Sequence, residues 1–405
     1  MKSLLALIFV ACIALPAQQT PAPTELAASP FFIKDTWIIG GAGNWDYLTM
    51  DPQSSQLLIA HGPVVQVVDT ETGTLAGQVT GLRFAHSIAL DDSGEFGYVS
   101  DGPANQVSVF DRRTFKIVAR IPTGSSPRAL VYEPQTKLLF AVSASPLSQN
   151  STLLHPANQT VKSPLTVIDT QTRDVISTIL LPGKLGFAAS NGAGQLFIIL
   201  EDRNEIAWID AASIESRLRG AQSSTASDQH KTTSPPGAQV TIDWSSLPRS
   251  AQSSGNHVRF FPLGSQCPDP RSIAVDSNHM RIFVACNNLT MEVLNAANGD
   301  LITSLPIGYG VEAIGYDPDR GLIYSANGAA MGSLTVIHQD VTDTYAVIQT
   351  LPTRQRARTL AVNPATGDVY LVTDYLGMPL DKPGSIGTLH TPQAQGSFQI
   401  LVISH

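Results

Sequence analysis

Charged residues are scarce in this sequence, and cysteine is scarcer still. Lys, Arg, Asp and Glu together make up 14% of the 405 residues, and the chain has 3 Cys. So little charge argues against long, solvated helices as the main architecture. The formal net charge of -8, without a dense cluster of Lys and Arg, argues against nucleic acid as a partner, because phosphate backbones would be repelled.

Sequence motifs that mark a cofactor site or a catalytic nucleophile are also missing. We find no C-x-x-C-H, no G-x-S-x-G, and no G-x-G-x-x-G or P-loop between a strand and a helix. We therefore predict no cofactor, and we leave a metal ion held by scattered His and acidic residues as an alternative. Enzymatic activity stays open on this evidence.

Long apolar runs are absent after the N-terminus, so we predict no transmembrane segment. The one apolar run, Leu4 to Leu15, is too short to span a bilayer and is followed by small residues up to Ala17. We predict a signal peptide over residues 1–17, a flexible leader over 18–30, and a periplasmic or extracellular location. Cys12, in "FVAC", leaves a lipoprotein anchor as an alternative.

What the sequence does contain is one short pattern repeated seven times. Each copy has an apolar run, a turn with Asp, Asn or Glu, and a second apolar run, as in "SIALDDSGEFGYVSD" and "AIGYDPDRGLIYSANG". The seven turn residues are Asp51, Asp91, Glu133, Asn191, Asp276, Asp317 and Asn363. Their short polar side chains are expected to cap the turns.

Two further strands follow each copy, which gives four antiparallel strands in a repeat of about 40 residues, the blade of a β-propeller. The last copy ends at its third strand, "FQILVISH", and residues 31–41 look like a single outer strand. We therefore predict an all-β, seven-bladed propeller over residues 31–405, closed by its N-terminal strand. Insertions are predicted near 143–163, 213–256 and 375–396. The first and third are predicted to be loops, and the second to begin with a helical turn at "AASIESRLRG" and to continue as a low-complexity stretch.

The motifs "NQVSVFD", "LTVIDTQT" and "IPTGSSPRALVYEP" resemble the YVTN-repeat, or YncE-like, family of secreted seven-bladed propellers. The resemblance implies the fold over nearly the whole mature chain. It implies little about function, because propellers host binding, scaffolding and unrelated chemistries. Similar propellers also form parts of periplasmic electron-transfer enzymes, but this chain lacks a haem-attachment motif.

Two columns of the aligned copies are expected to line one mouth of the central channel. Five residues before each turn residue stand Asp46, His86, Arg128, Gly186, Arg271, Glu312 and Arg358, here called the first ring. Ten residues after it stand His61, Asp101, Ser143, Glu201, Cys286, Asn327 and Thr373, here called the second ring. Two positions beyond the first ring the column is entirely apolar, which predicts a dry channel below a polar mouth.

The arginines of the first ring allow two interpretations. They could clamp an anionic small molecule or an acidic peptide, or they could pair with Asp46, Glu312 and Glu201 and neutralise the channel. We select as ligand-binding candidates His61, His86, Asp101, Arg128, Glu201, Arg271, Glu312, Asn327 and Arg358. Four of them, His61, His86, Asp101 and Glu201, could instead hold a metal, although they form no recognised motif.

Two cysteines remain in the mature chain. Cys267 precedes the first strand of the fifth blade and Cys286 ends the second, so a disulfide between them is expected in an oxidising compartment. We predict an exported, monomeric binding scaffold whose partner is a small anionic ligand, a peptide or a protein at the channel mouth. The alternative is a metal-assisted lactonase, lyase or hydrolase with its site at the same mouth.

Overall fold

A computed structural model describes residues 30–41, 44–143, 161–216, 218, 240–244, 257–340, 343–374 and 398–405. These residues form seven antiparallel sheets, the blades. Blade 1 contains β2 (Trp45–Asp51), β3 (Gln56–His61), β4 (Val64–Asp69) and β5 (Thr74–Val79). Blade 2 contains β6 (Ala85–Leu90), β7 (Phe96–Asp101), β8 (Gln106–Asp111) and β9 (Ile117–Pro122). Blade 3 contains β10 (Pro127–Glu133), β11 (Leu138–Ser143), β12 (Lys162–Asp169) and β13 (Val175–Pro182).

The remaining blades follow the same order. Blade 4 contains β14 (Leu185–Ser190), β15 (Gln195–Leu200), β16 (Glu205–Asp210) and β18 (Val258–Pro262). Blade 5 contains β19 (Pro270–Asp276), β20 (Arg281–Cys286), β21 (Thr290–Asn295) and β22 (Leu301–Pro306). Blade 6 contains β23 (Val311–Asp317), β24 (Leu322–Asn327), β25 (Ser333–Gln339) and β26 (Tyr345–Pro352). Blade 7 contains β27 (Leu360–Val362), β28 (Val369–Asp374), β29 (Phe398–Ser404) and β1 (Phe32–Ile38).

The blades form a closed ring around a central channel. The first strands of successive blades lie side by side, and β27 of blade 7 lies beside β2 of blade 1. Second strands are buried along almost their whole length, as in β11, because both faces of a blade pack against its neighbours. Outer strands such as β26 stay largely exposed. The predicted seven-bladed propeller is confirmed.

The N-terminal strand completes the last blade, as predicted. β1 pairs antiparallel with β29, from Phe32 opposite Ser404 to Ile38 opposite Gln399. Phe31 anchors the start of this strand, since its side chain is buried in a hydrophobic cluster with residues of blades 6 and 7. Pairing removes the open edges that both strands would otherwise present to solvent.

The turn residues of the seven copies cap their turns. In every copy the side-chain oxygen accepts a hydrogen bond from the backbone N–H two residues further along the chain. Asp51 and Asp317, for example, accept from Gln53 and Asp319 at 2.9 and 3.1 Å. The repeated turn residues are therefore part of the scaffold, as the Pro, Ser or Gly that follows within two positions of each one indicates.

The described part of the insertion of residues 213–256 contains the helical turn that "AASIESRLRG" predicts and one short strand. Residues 211–216 are helical, with Asp210 accepting the N–H of Ser213 at 2.9 Å as a cap. Val240–Asp243 forms β17, which pairs parallel with β13 and adds a fifth strand to blade 3. No helix in the described parts of the chain is long and apolar enough to cross a membrane. The predicted signal peptide, the predicted leader up to residue 29, and residues 144–160 and 375–397 lie outside the described residues.

Candidate functional site

The first ring lies where the inner strands begin, at the end of the channel called the mouth here. In six blades the pairing of first and second strands shifts at this column. Arg128, Arg271 and Glu312 are the unpaired extra residues of such β-bulges. A bulge turns a side chain away from the regular alternation of a strand. A register shift therefore separates the polar ring from the apolar column below it. Because of this shift, the regular alternation of a strand does not determine whether the two columns face the same side.

A histidine–carboxylate hydrogen bond and an ion pair join neighbouring blades within the first ring. The Nδ1 atom of His86 lies 2.8 Å from Oδ2 of Asp46, and both side chains are largely buried. The Nε atom of Arg358 lies 3.1 Å from Oε2 of Glu312. These contacts bind blade 1 to blade 2 and blade 6 to blade 7, so three of the candidate side chains, His86, Glu312 and Arg358, already have partners within the ring.

Arg128 differs from the other cations of the mouth. Arg271 forms a 2.6 Å ion pair with Asp269, which lies two residues before it, and Lys184 pairs with Glu201. Arg128 is exposed and forms no ion pair with any described residue. Of the first-ring arginines within the described parts of the chain, Arg128 is thus the one whose guanidinium is available to an incoming anion.

The floor of the mouth is aromatic. The rings of Tyr47, from blade 1, and Phe187, from blade 4, meet across the channel with their centroids 4.4 Å apart. Burial is the main cause of a raised pKa for the Tyr47 phenol, followed by the negative charges of Asp46 and Glu312, while Arg128 acts against the rise. The phenol therefore stays protonated and can donate a hydrogen bond toward the mouth.

Most of the second ring is turned into the blades. His61, Asp101 and Asn327 are at most 1% exposed, and Ser143, Cys286 and Thr373 are also buried. His61 Nδ1 lies 2.9 Å from Gln66 Oε1, and Asn327 Nδ2 donates to Thr335 Oγ1 at 3.0 Å. Asp101 accepts the two backbone N–H groups that precede β6. These residues hold loops in place, and only Glu201 of the second ring is partly exposed.

The predicted disulfide is present. Cys267 and Cys286 are bonded, with their Cα atoms 5.2 Å apart, and both are fully buried. The bond fixes the loop that carries Asp269, directly before β19 and its Arg271, to the end of β20. Within the described ranges no three His, Cys, Asp or Glu side chains come together to hold a metal ion.

Below the aromatic floor the channel is lined by aliphatic side chains. The residues two positions beyond the first ring are each between 3% and 9% exposed, namely Leu48, Ile88, Leu130, Ala188, Ile273, Ile314 and Leu360. This apolar lining is confirmed. A cavity of about 370 Å³ opens here at the face opposite the mouth, with Leu48, Ile314 and Leu360 in its wall.

Tyr47 and Phe187 were not among the site residues predicted from the sequence, although the sequence contains a signal for them. They follow the first ring by one position, a column that is small in the other five blades: Ser87, Ala129, Ser272, Ala313 and Thr359. Two large aromatic residues in a column of small ones indicate a channel filled from two sides. Lys184 was missed as well, because it precedes the first ring by two positions.

Known proteins support the fold. No family model matches the chain, and no curated protein matches it in sequence. Among solved structures, the chain is similar to the WD40 repeats of RRP9 (TM-score 0.63, 8% identity, covering 91% of this chain and 97% of that one). It is also similar to a chain of Kuenenia stuttgartiensis hydrazine synthase (TM-score 0.59, 16% identity, 84% and 95%) and to one of the mitotic checkpoint complex (TM-score 0.58, 12% identity, 89% and 95%). Identities this low show the propeller fold alone, a fold that commonly serves as an interaction scaffold.

Proposed function

We propose that this protein is an exported propeller of the YVTN-repeat, or YncE-like, type that binds a small anionic molecule or an acidic peptide at its mouth. Arg128 carries the proposal, because it is exposed at the mouth and has no acidic partner among the residues that the structure describes. A guanidinium in that state keeps all its N–H donors for a ligand, and its planar fork matches a carboxylate or phosphate.

The surroundings of Arg128 favour a compact anion. Tyr47 closes the channel beneath the mouth and has a protonated phenol, so a ligand has both a charge partner and a neutral donor. The carboxylates of Asp46, Glu312 and Glu201 are held by His86, Arg358 and Lys184. Pairing reduces their repulsion of an anion that approaches Arg128.

An oxidising compartment suits this assignment. The buried disulfide is of the kind that forms and persists outside the cytosol. The predicted signal peptide of residues 1–17 supports export. The propeller neighbours that belong to protein assemblies support a binding scaffold. A partner protein with an acidic segment would use the same guanidinium as a free anion.

Citrate binding measured by isothermal titration calorimetry tests the proposal. We expect Arg128→Ala to weaken binding by about tenfold, the scale of one hydrogen bond to a charged group. Arg271→Ala is the matched control, since this arginine lies in the same ring but pairs with Asp269. Equal citrate affinity in wild type and Arg128→Ala, or an equal loss in the control, would refute a role for Arg128 as the anion site.

One contact favours a second function, a hydrolase or lyase with a general base at the mouth. His86 is oriented by a largely buried carboxylate 2.8 Å from its Nδ1 atom, and such a carboxylate can fix the tautomer of a catalytic imidazole. Turnover of lactones and esters, measured for wild type and for His86→Gln, tests whether the imidazole acts as a general base. Turnover that survives His86→Gln would exclude the imidazole as the base.

A further inference from the structure

The region of blade 2 next to the mouth is basic in an otherwise acidic protein. Residues 112–132 contain five Lys or Arg and no Asp or Glu, although the whole chain carries a net charge of -8. Arg120 on β9 and Arg128 on β10 lie on the mouth side, whereas Arg112, Arg113 and Lys116 belong to the turn between β8 and β9 on the opposite face. Two nearby loops that face the same side, residues 80–84 and 102–105, also lack acidic residues and contribute Arg83. An uncompensated patch of this kind attracts an acidic partner.

Hydrogen bonds and close contacts connect the basic side chains into one path across blade 2. At the outer rim, Nη2 of Arg120 on β9 donates to the backbone oxygen of Gly81 at 3.3 Å. Two residues further along the same loop, Nη1 of Arg83 donates to the backbone oxygen of Pro103 at 3.3 Å. Arg83 therefore bridges the loop before β6 and the loop after β7, one step closer to the channel.

The path continues to the mouth. A Cβ built on Gly102 would lie 2.7 Å from Nε2 of His86 and 3.4 Å from the backbone oxygen of Pro127, so this loop touches the first ring. Arg128 follows Pro127. Arg120, Arg83 and Arg128 are all exposed, and none forms an ion pair with a described residue. Asp101, the nearest acid in sequence to this path, is buried and accepts backbone N–H groups.

We infer that an extended acidic segment of a partner protein binds along this basic track, from Arg120 at the rim through Arg83 to Arg128 at the mouth. The inference rests on the proposed function and extends it, since the track ends at the proposed anion site. Four strands spaced by about 4.8 Å place the rim about 14 Å from the first strand. An extended chain rises about 3.3 Å per residue, so about five residues span the track.

Fluorescence anisotropy with fluorescein-labelled hexaglutamate tests the track, with labelled hexaglutamine as the neutral probe. We expect Arg83→Ala and Arg120→Ala each to weaken hexaglutamate binding about two- to fivefold, the range of exposed charge pairs, and the double variant to lose more. Citrate, which reaches only the mouth, should bind both rim variants as it binds wild type. Hexaglutamine should bind weakly to all of them.

Arg113→Ala is the matched control. Arg113 is exposed and belongs to the same basic stretch, but it lies in the turn between β8 and β9 on the opposite face. A loss in Arg113→Ala equal to that in the rim variants, or hexaglutamate affinity unchanged in the double rim variant, overturns the track. Absence of citrate binding to wild type counts against the mouth proposal alone, because the rim variants still decide the track with hexaglutamate.

Discussion

The disulfide between Cys267 and Cys286 gives a quantitative prediction for the stability of the propeller. The two cysteines are 19 residues apart, and a loop of that length loses about 3.2 kcal/mol of chain entropy when closed in the unfolded state. We expect reduction of the wild type, or the double change of both cysteines to alanine, to lower the free energy of unfolding by about 3 kcal/mol.

Urea unfolding of the oxidised wild type, the reduced wild type and the double variant measures this difference. The difference between oxidised and reduced wild type measures the loss of the crosslink. The difference between reduced wild type and the double variant measures the loss of the buried sulfur atoms. Hydrogen exchange offers a local readout, because Cys267 holds the segment that leads into β19. Exchange in residues 264–271 should accelerate on reduction. A difference below about 1 kcal/mol between oxidised and reduced wild type would refute the unfolded-chain account.

Two further predictions concern buried charges. Burial raises the pKa of the Glu292 carboxyl above its ordinary value of 4.5, with the N–H of Gly264 opposing the rise, so ionisation lowers stability as the pH increases beyond 4.5. The free energy of unfolding of Glu292→Gln should therefore rise relative to that of wild type as the pH increases, by at most about 1.4 kcal/mol per pH unit. Urea unfolding across a pH series measures this difference, and a difference that stays constant with pH would contradict the prediction. Arg112→Met should lower the unfolding free energy by about 3–5 kcal/mol, because it leaves Asp51 buried without its ion partner. Calorimetric unfolding checks this loss, and a double change with Asp51→Asn should recover part of it.

Repetition made the fold readable from the sequence. Seven copies of one pattern reveal the blades, and an unpartnered last strand reveals that residues 31–41 must supply the missing edge. The insertion was harder to predict. β17 carries only four residues, and its pairing with β13 depends on the open edge of a different blade, which no local pattern encodes.

The candidate site was only partly predictable, for a physical reason. The columns locate the mouth, but ion pairing depends on distances between blades. Arg128 and Arg271 occupy equivalent positions, and Arg271 is neutralised because Asp269 happens to precede it by two residues. Bulges also displace side chains from the alternation that the alignment assumes, and burial removes His61 and Asn327 from the mouth.

The pairing of β1 with β29 determines how the ring responds to mechanical force. Phe32, near the start of β1, lies opposite Ser404, near the end of β29, so both strands can be pulled from the same end of their ladder. Tension between the two ends would break the hydrogen bonds one after another, beginning with this pair, whereas shear would load all of them together. Blade 7 is then the seam at which the ring unzips, and any tether joined ahead of Phe31 would transmit its force directly to that seam.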